Sequence, residues 1–288
     1  MLAHNFEPAR HNICGWFISE KLDGMRAFWD GGVTRGLPAS EVPWANTAKD
    51  HRRLAPPIAT GLWTRLGKVI HAPDWWLDVM PPYPLDGELW LGQGRFQELV
   101  SITKSYTPGP EWANVTYWVF DSPPPLMLFR DGKVNVPMFS KEFEGILEWY
   151  NEQDKEGLDQ PPAGIHTSFE YTYRWLEKNM NQNGAVKLLP QRQLPFTTDL
   201  AIGLVNDELD RIVAEGGEGV VLRKHTSYWE PQRSYNLLKY KPWQDAEAKV
   251  TGYVAGRQTD RGSKLLGLMG ALIVDYNGKR LELSGFTD

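Results

Sequence analysis

Lys21 stands in the stretch Glu20-Lys21-Leu22-Asp23-Gly24-Met25-Arg26, between two strand-like runs and with acidic residues on both sides. A lysine amine attacks phosphorus only when neutral, yet a free lysine has a pKa of about 10.4. Desolvation, nearby cations such as Lys239 and Lys241, or a divalent metal would favour loss of the proton, whereas neighbouring carboxylates would hold it. The acidic residues are therefore expected to hold metal rather than face the amine. A solitary K-x-D-G-x-R match more often marks a solvated turn of mixed charge, so the weight falls on what accompanies it.

Four further fragments follow in order: Leu85-Asp86-Gly87-Glu88, Tyr117-Trp118-Val119-Phe120-Asp121, Glu218-Gly219-Val220-Val221-Leu222-Arg223 and Leu238-Lys239-Tyr240-Lys241-Pro242. Glu88 and Glu218 each adjoin a glycine in a strand context, which leaves room for a carboxylate to project into a cleft. Hard oxygen ligands of this kind suit magnesium or manganese. Lys239 and Lys241 alternate with apolar neighbours, so in a strand both amines share a face and can steady an anion as charge develops on it. Arg26 and Arg35 could return to one pocket through a hairpin at Gly31-Gly32, where their forked donors suit phosphate. Taken singly, each also fits a plain role: an exposed Glu at a strand end, a charged edge strand, an exposed Arg in a turn, a buried Phe in a central strand.

Together the five fragments resemble motifs I, III, IIIa, IV and V of the covalent nucleotidyltransferases, the superfamily of ATP-dependent DNA ligases, RNA ligases and mRNA-capping enzymes. The likeness runs from about residue 15 to residue 245. It implies Lys21 as the nucleophile that carries AMP, and Glu88 and Glu218 at the ribose and a divalent metal, Mg2+ or Mn2+. It also implies Arg26 at the nucleotide sugar, Phe120 stacked on the purine, and Lys239 and Lys241 at the α-phosphate. Thr34-Arg35-Gly36 resembles the Ser/Thr-Arg-Gly element that helps bind the 5′-phosphate of a nick. Stacking of a base on an aromatic ring contributes on the order of 1–3 kcal/mol.

Arg26, and the mere 20 residues ahead of Lys21, argue for ATP rather than NAD as the nucleotide donor. Gly94-Arg95-Phe96-Gln97, and the run from Tyr228 through Arg233-Ser234-Tyr235-Asn236-Leu237-Leu238-Lys239, resemble the small bacterial and phage ATP-dependent DNA ligases. Nicked double-stranded DNA is the partner this implies, with Arg35 and Arg233 as its contacts. An RNA ligase or a capping-type enzyme stays open as an alternative. So does a non-catalytic binding module whose aromatic residues form platforms for single strands or sugars.

The elements that must position these groups are mainly strands. Runs rich in β-branched or aromatic residues predict strands over 15–19, 25–30, 85–91, 115–120, 219–223, 237–240, 248–254 and 271–276. Helical spacing predicts helices over 96–104, 141–151, 169–180 and 199–215, the last carrying Leu200, Leu204, Leu209, Ile212 and Val213 and stopping at Gly216-Gly217. Strands and helices in irregular order give an α+β class, antiparallel sheets with flanking helices, and the change after Lys241-Pro242-Trp243 puts a boundary near residue 244; the resemblance makes residues 1–244 a nucleotidyltransferase (adenylation) domain. The remaining 44 residues resemble the start of an OB-fold β-barrel and are too few for five strands, so an incomplete second domain lacking motif VI is expected. Without that motif, self-adenylation from ATP would be impaired.

Composition bounds the rest. The 288 residues carry 31 basic and 36 acidic side chains, a net charge of −5, so nucleic acid would have to be met by a local basic face. No apolar run approaches the roughly 20 residues needed to cross a bilayer, and no basic region followed by an apolar stretch opens the chain. Cys14 is the only cysteine, which rules out an intrachain disulfide and suits a reducing cytoplasm. A monomer is expected.

Overall fold

Alternation along the strands divides apolar from functional side chains. In Met25–Asp30, Ala27 and Trp29 are buried on one face, while Arg26 and Phe28 occupy the other. Pro84–Trp90 does the same with Leu85 and Leu89 against Asp86, Glu88 and Trp90. The computed structural model describes residues 1–42, 44–47, 57–123, 168–230, 232–242, 246–256 and 268–285. The chain divides into two compact units, Met1–Lys241 and Pro242–Asp288.

The first unit holds two five-stranded sheets. One contains β1 (Leu2–Asn5), β2 (Phe17–Glu20), β8 (Arg192–Gln193), β9 (Val220–Arg223) and β10 (Arg233–Tyr240), in the order β1-β10-β9-β2-β8. The other contains β3 (Met25–Asp30), β4 (Leu62–Thr64), β5 (Pro84–Trp90), β6 (Thr116–Asp121) and β7 (Val186–Leu188), in the order β4-β3-β5-β6-β7. Pairings are antiparallel except β1 with β10 and β6 with β7. The helices are α1 (Asp74–Leu77), α2 (Phe96–Lys104), α3 (Phe169–Asn179) and α4 (Thr198–Ala214). The second unit is an antiparallel meander of β11 (Lys249–Ala255), β12 (Met269–Tyr276) and β13 (Lys279–Leu283).

The larger core gathers Trp44, Trp63, Trp76, Trp112 and Tyr117, all fully buried, and Tyr117 ties two strands together, its single O–H shared between the carbonyls of Ala27 and Leu85, each at 3.0 Å. A smaller core lies where α4 meets the first sheet. Its buried stripe is Ala201, Val205, Leu209 and Ile212; Leu200 and Val213, which the sequence pattern groups with the apolar face, are exposed. The i, i+4, i+8, i+11 spacing keeps these four on one face of the helix. Trp76 meets Trp112 edge-on with ring centres 4.9 Å apart, so part of the aromatic content that could suggest a binding platform is core packing. The helix expected over 141–151 lies outside the described residues. Among the described residues, no helix is long and apolar enough to cross a membrane.

Candidate active site

Register decides where Lys21 points. β2 pairs with β9 so that Glu20 lies opposite Val220, and the Lys21 backbone N–H donates to the Gly219 carbonyl at 2.8 Å. Gly219 has φ +151°, and a side chain there would run into the Tyr240 carbonyl, so only glycine lets the chain bring its neighbour Glu218 to this level. The Lys21 amine donates directly to Glu218 Oε2, and Lys241 Nζ donates to Oε1 of the same carboxylate at 3.2 Å. The expectation that the acidic residues turn away from the amine is therefore corrected for Glu218: the paired strands set the two groups face to face. Burial works against ionisation of Glu218, but its bonds and charges from Lys21 and then Lys241 prevail and hold the carboxyl below the usual range.

A cavity of about 350 Å³ opens beside this pair, lined from both sheets of the first unit, and its walls include Lys21, Arg26, Glu88, Phe120 and Lys239. Six basic side chains (Lys21, Arg26, Arg65, Arg223, Arg233 and Lys239) face it, against the four carboxylates of Glu20, Asp86, Glu88 and Asp121. The balance favours an anionic ligand, and the size falls in the range of small-molecule sites.

Arg26 is fixed from several sides. Its Nε donates to Asp86 Oδ1 at 2.9 Å, Nη2 to Asp86 Oδ2, and Nη1 to the Met1 carbonyl. Asp86 is fully buried and also accepts from the Trp229 indole at 2.8 Å. The guanidinium carbon lies 5.4 Å from the ring centre of Phe120 and 5.4 Å from that of Phe28. Directly across β3–β5 from Arg26 stands Glu88. Burial pushes the Glu88 carboxyl up to about 7, opposed by the charges of Arg26 and Lys21 and assisted by those of Asp86 and Glu218.

Arg35 is not part of this cavity. The Thr34-Arg35-Gly36 turn is tied to the far end of β3: the Asp30 carboxylate accepts from Thr34 Oγ1 at 2.6 Å, Gly32 N at 2.9 Å and Trp63 Nε1 at 2.9 Å. Arg35 instead donates to Asp74, the first residue of α1, and to Asp78, its C-cap, each at 2.7 Å. The antiparallel return to the level of Arg26 is made by β4, where Thr64 lies opposite Ala27. There Arg65 occupies a tight turn, closed by Gly67 N to Thr64 O at 2.9 Å and Lys68 N to Thr64 Oγ1 at 3.0 Å, and lines the cavity. Gly67 is obligatory in that turn: φ is +75°, and a side chain would collide with the Trp44 carbonyl.

Sequence reasoning thus missed Arg65, although Thr64-Arg65-Leu66-Gly67 repeats the Thr-Arg signal thirty residues after Thr34-Arg35. It also passed over Asp86, Asp121 and Arg223, which lie inside the fragments already singled out and all reach the cavity. Among the described residues, no group of three or more His, Cys, Asp or Glu side chains is disposed to hold a metal. The site offers the other kind of donor set, one or two carboxylates to be completed by phosphate oxygens and water, which suits magnesium.

No family model matches the chain. A DNA ligase from Haemophilus influenzae is 25% identical over 287 residues, covering 99% of this chain and 78% of its own length. A solved structure of a Lig E DNA ligase, from work on DNA binding with a minimal scaffold, superposes with a TM-score of 0.66 at 27% identity, covering 100% of this chain and 84% of that one. A structure of the protein Pmar-Lig gives a TM-score of 0.60 at 20% identity over 100% of this chain and 56% of that one, a likeness of fold. In sequence and in fold, over its whole length, the chain resembles DNA ligases, a Lig E enzyme of minimal scaffold among them.

Proposed function

We propose that the protein seals nicks in duplex DNA through a lysyl-AMP intermediate, acting as a monomer. The observation that carries this reading is the convergence of Lys21, Arg26, Glu88, Phe120 and Lys239, from four separate fragments of sequence, on one cavity with a net excess of basic groups.

The Lys21 amine attacks the α-phosphorus of ATP, forming a P–N bond as the bond to the β-phosphate oxygen breaks and pyrophosphate leaves. Glu218 Oε2 is the immediate acceptor for the proton that Nζ gives up, and Lys241 on the other oxygen offsets its charge. Lys239 faces the same cavity and stabilises charge growing on the phosphoryl oxygens. Arg26, held rigid by Asp86, meets the ribose without reorganising, and Phe120 presents its ring to the base. Glu88 and Glu218 are the residues that would hold a magnesium or manganese ion, which when bound supplies charge neutralisation at the phosphates. AMP then passes to the 5′-phosphate of the nick, and the 3′-hydroxyl displaces it, each an in-line displacement at phosphorus.

In this reading Arg65, which lines the cavity as Arg35 does not, engages the 5′-phosphate, and Arg233 also lines that cavity. Incubation with singly nicked duplex, ATP and magnesium tests the reading: a sealed strand is expected. A protein that binds the duplex yet neither seals it nor accumulates adenylated DNA would count for the binding-module alternative instead.

A further inference from the structure

Between β3 and β4 the chain takes a detour. Antiparallel neighbours joined as a hairpin usually need only about two to five connecting residues, whereas here β3 ends at Asp30 and β4 begins at Leu62. Connections longer than about 12–15 residues are uncommon in compact domains unless they serve a function. Both arms of this one are anchored. Gly36 N donates to the Ala59 carbonyl and Ala59 N to that of Leu37, each at 2.8 Å, so the arms run antiparallel at their base, with Pro38 bridged to Ile58. The outgoing arm then sinks Ala39, Val42 and Trp44 into the larger core, where Trp44 meets Trp63 of β4 edge-on with ring centres 6.0 Å apart.

From there the arm reaches the turn that carries Arg65. Asn46 N donates to the Gly67 carbonyl at 2.7 Å, and the Trp44 carbonyl lies so close that a Cβ at position 67 would come within 2.4 Å of it. Thr64 N donates to the Lys68 carbonyl at 2.8 Å, which makes Arg65, Leu66 and Gly67 the tip of a short hairpin. A loop tip is ordinarily the least restrained part of a chain, but this one is held from outside. Arg65 depends on that support. Among the described residues, no hydrogen bond or ion pair engages its side chain, whereas two carboxylates hold Arg35 and Asp86 holds Arg26. Its place in the cavity wall is therefore set through the backbone of the turn.

Building on the reading of Arg65 given above, we propose that the β3–β4 connection is a brace for recognition of the 5′-phosphate at the nick. Trp44 anchors the brace in the core, and the Asn46 N–H fixes the Gly67 carbonyl, so that Arg65 meets the phosphate already ordered. Trp44 and Asn46 are positioning residues that act through Arg65. A guanidinium held in place beforehand loses less freedom on contact, which favours both capture of the phosphate and its alignment for attack. A terminal phosphate also carries more negative charge than an internal phosphodiester, so the gain is greatest at the end to be joined.

Single-turnover transfer of AMP from the preadenylated full chain to nicked duplex tests this in a double-mutant cycle. Asn46→Pro, which removes the donor N–H, should slow transfer about two- to tenfold, and Trp44→Ala about tenfold, neither exceeding the loss in Arg65→Ala. Adduct formation from ATP should stay within about twofold in both, and Trp44→Phe should regain most of the transfer rate. In an Arg65→Ala background the same substitutions should slow transfer by less than about twofold more, because the group they position is gone. Each should also narrow the preference in binding for a 5′-phosphate nick over a 5′-hydroxyl nick, whereas a general loss of structure would weaken both alike. Full transfer in Asn46→Pro and Trp44→Ala, equal losses in transfer and adduct formation, or losses that multiply in full with that of Arg65→Ala would each overturn the brace. Full transfer in Arg65→Ala alone would instead defeat the reading of Arg65, and the brace with it.

Discussion

Replacing Arg35 and Arg65 in turn separates two arginines that the sequence makes look alike. Arg35 is engaged by Asp74 and Asp78, whose side chains are 88% and 61% exposed, and surface pairs of this kind contribute only about 0–1 kcal/mol. Arg35→Ala should therefore shift the urea midpoint slightly and leave sealing within about twofold of the unaltered rate. Arg65 faces the cavity from the Thr64–Lys68 turn, and a hydrogen bond to a charged phosphate is worth about 1.5–3 kcal/mol. At 1.36 kcal/mol per factor of ten, Arg65→Ala should slow the phosphate-dependent step by roughly 10- to 150-fold. The assay is single-turnover transfer of AMP from preadenylated protein to nicked DNA, which isolates that step from reaction with ATP. Loss of transfer in Arg35→Ala with full transfer in Arg65→Ala would refute the argument from β-strand register.

Three further expectations concern the cavity walls. Asp86→Ala leaves the Arg26 guanidinium and the Trp229 indole without their shared buried acceptor and should cost about 3–5 kcal/mol of stability by urea unfolding; no measurable loss would show that the pair is not buried as described. Because burial raises the Glu88 carboxyl to about 7, it is protonated below that pH, so magnesium-supported adduct formation should fall as pH drops through 7, and Glu88→Gln should remove that limb from whatever activity it retains. The same shift means that the folded chain holds this proton more tightly than the unfolded one. Its stabilising contribution is present below the ordinary glutamate range and is lost as pH rises through 7, a slope that differential unfolding of Glu88→Gln should lack. Gly67→Ala should disturb the turn that presents Arg65 and weaken nick adenylation more than adduct formation; equal effects on both steps would contradict a local role.

Much of this site could be read from residue order because chemistry and strand alternation obey the same period. Lys21, Arg26, Glu88, Phe120 and Lys239 each stand in or beside a short β run with apolar neighbours, and a period of two suffices to say which side chains share a face. The failure at Arg35 has a physical cause. A Gly-Gly turn signals that a chain reverses, but does not say that the returning strand follows at once, and here the strand that pairs with β3 begins only at Leu62. The facing of Lys21 and Glu218 was misjudged for a related reason: charge arguments predict what an amine needs, whereas the Lys21 N to Gly219 O bond dictates what lies next to it. β1 and β8 are four and two residues long with little β-branched content, and their strand character comes from pairing with distant partners rather than from local pattern. The bulge at Phe120, which turns Asp121 into the cavity, leaves no mark in composition at all.

Tandem mass spectrometry of the protein after exposure to ATP and magnesium puts the nucleophile itself to the test. An AMP-sized increment carried by the peptide containing Lys21, chased off by nicked DNA and absent from Lys21→Ala, is the predicted result. An increment of equal yield in Lys21→Ala, or one carried by another residue, would contradict the account.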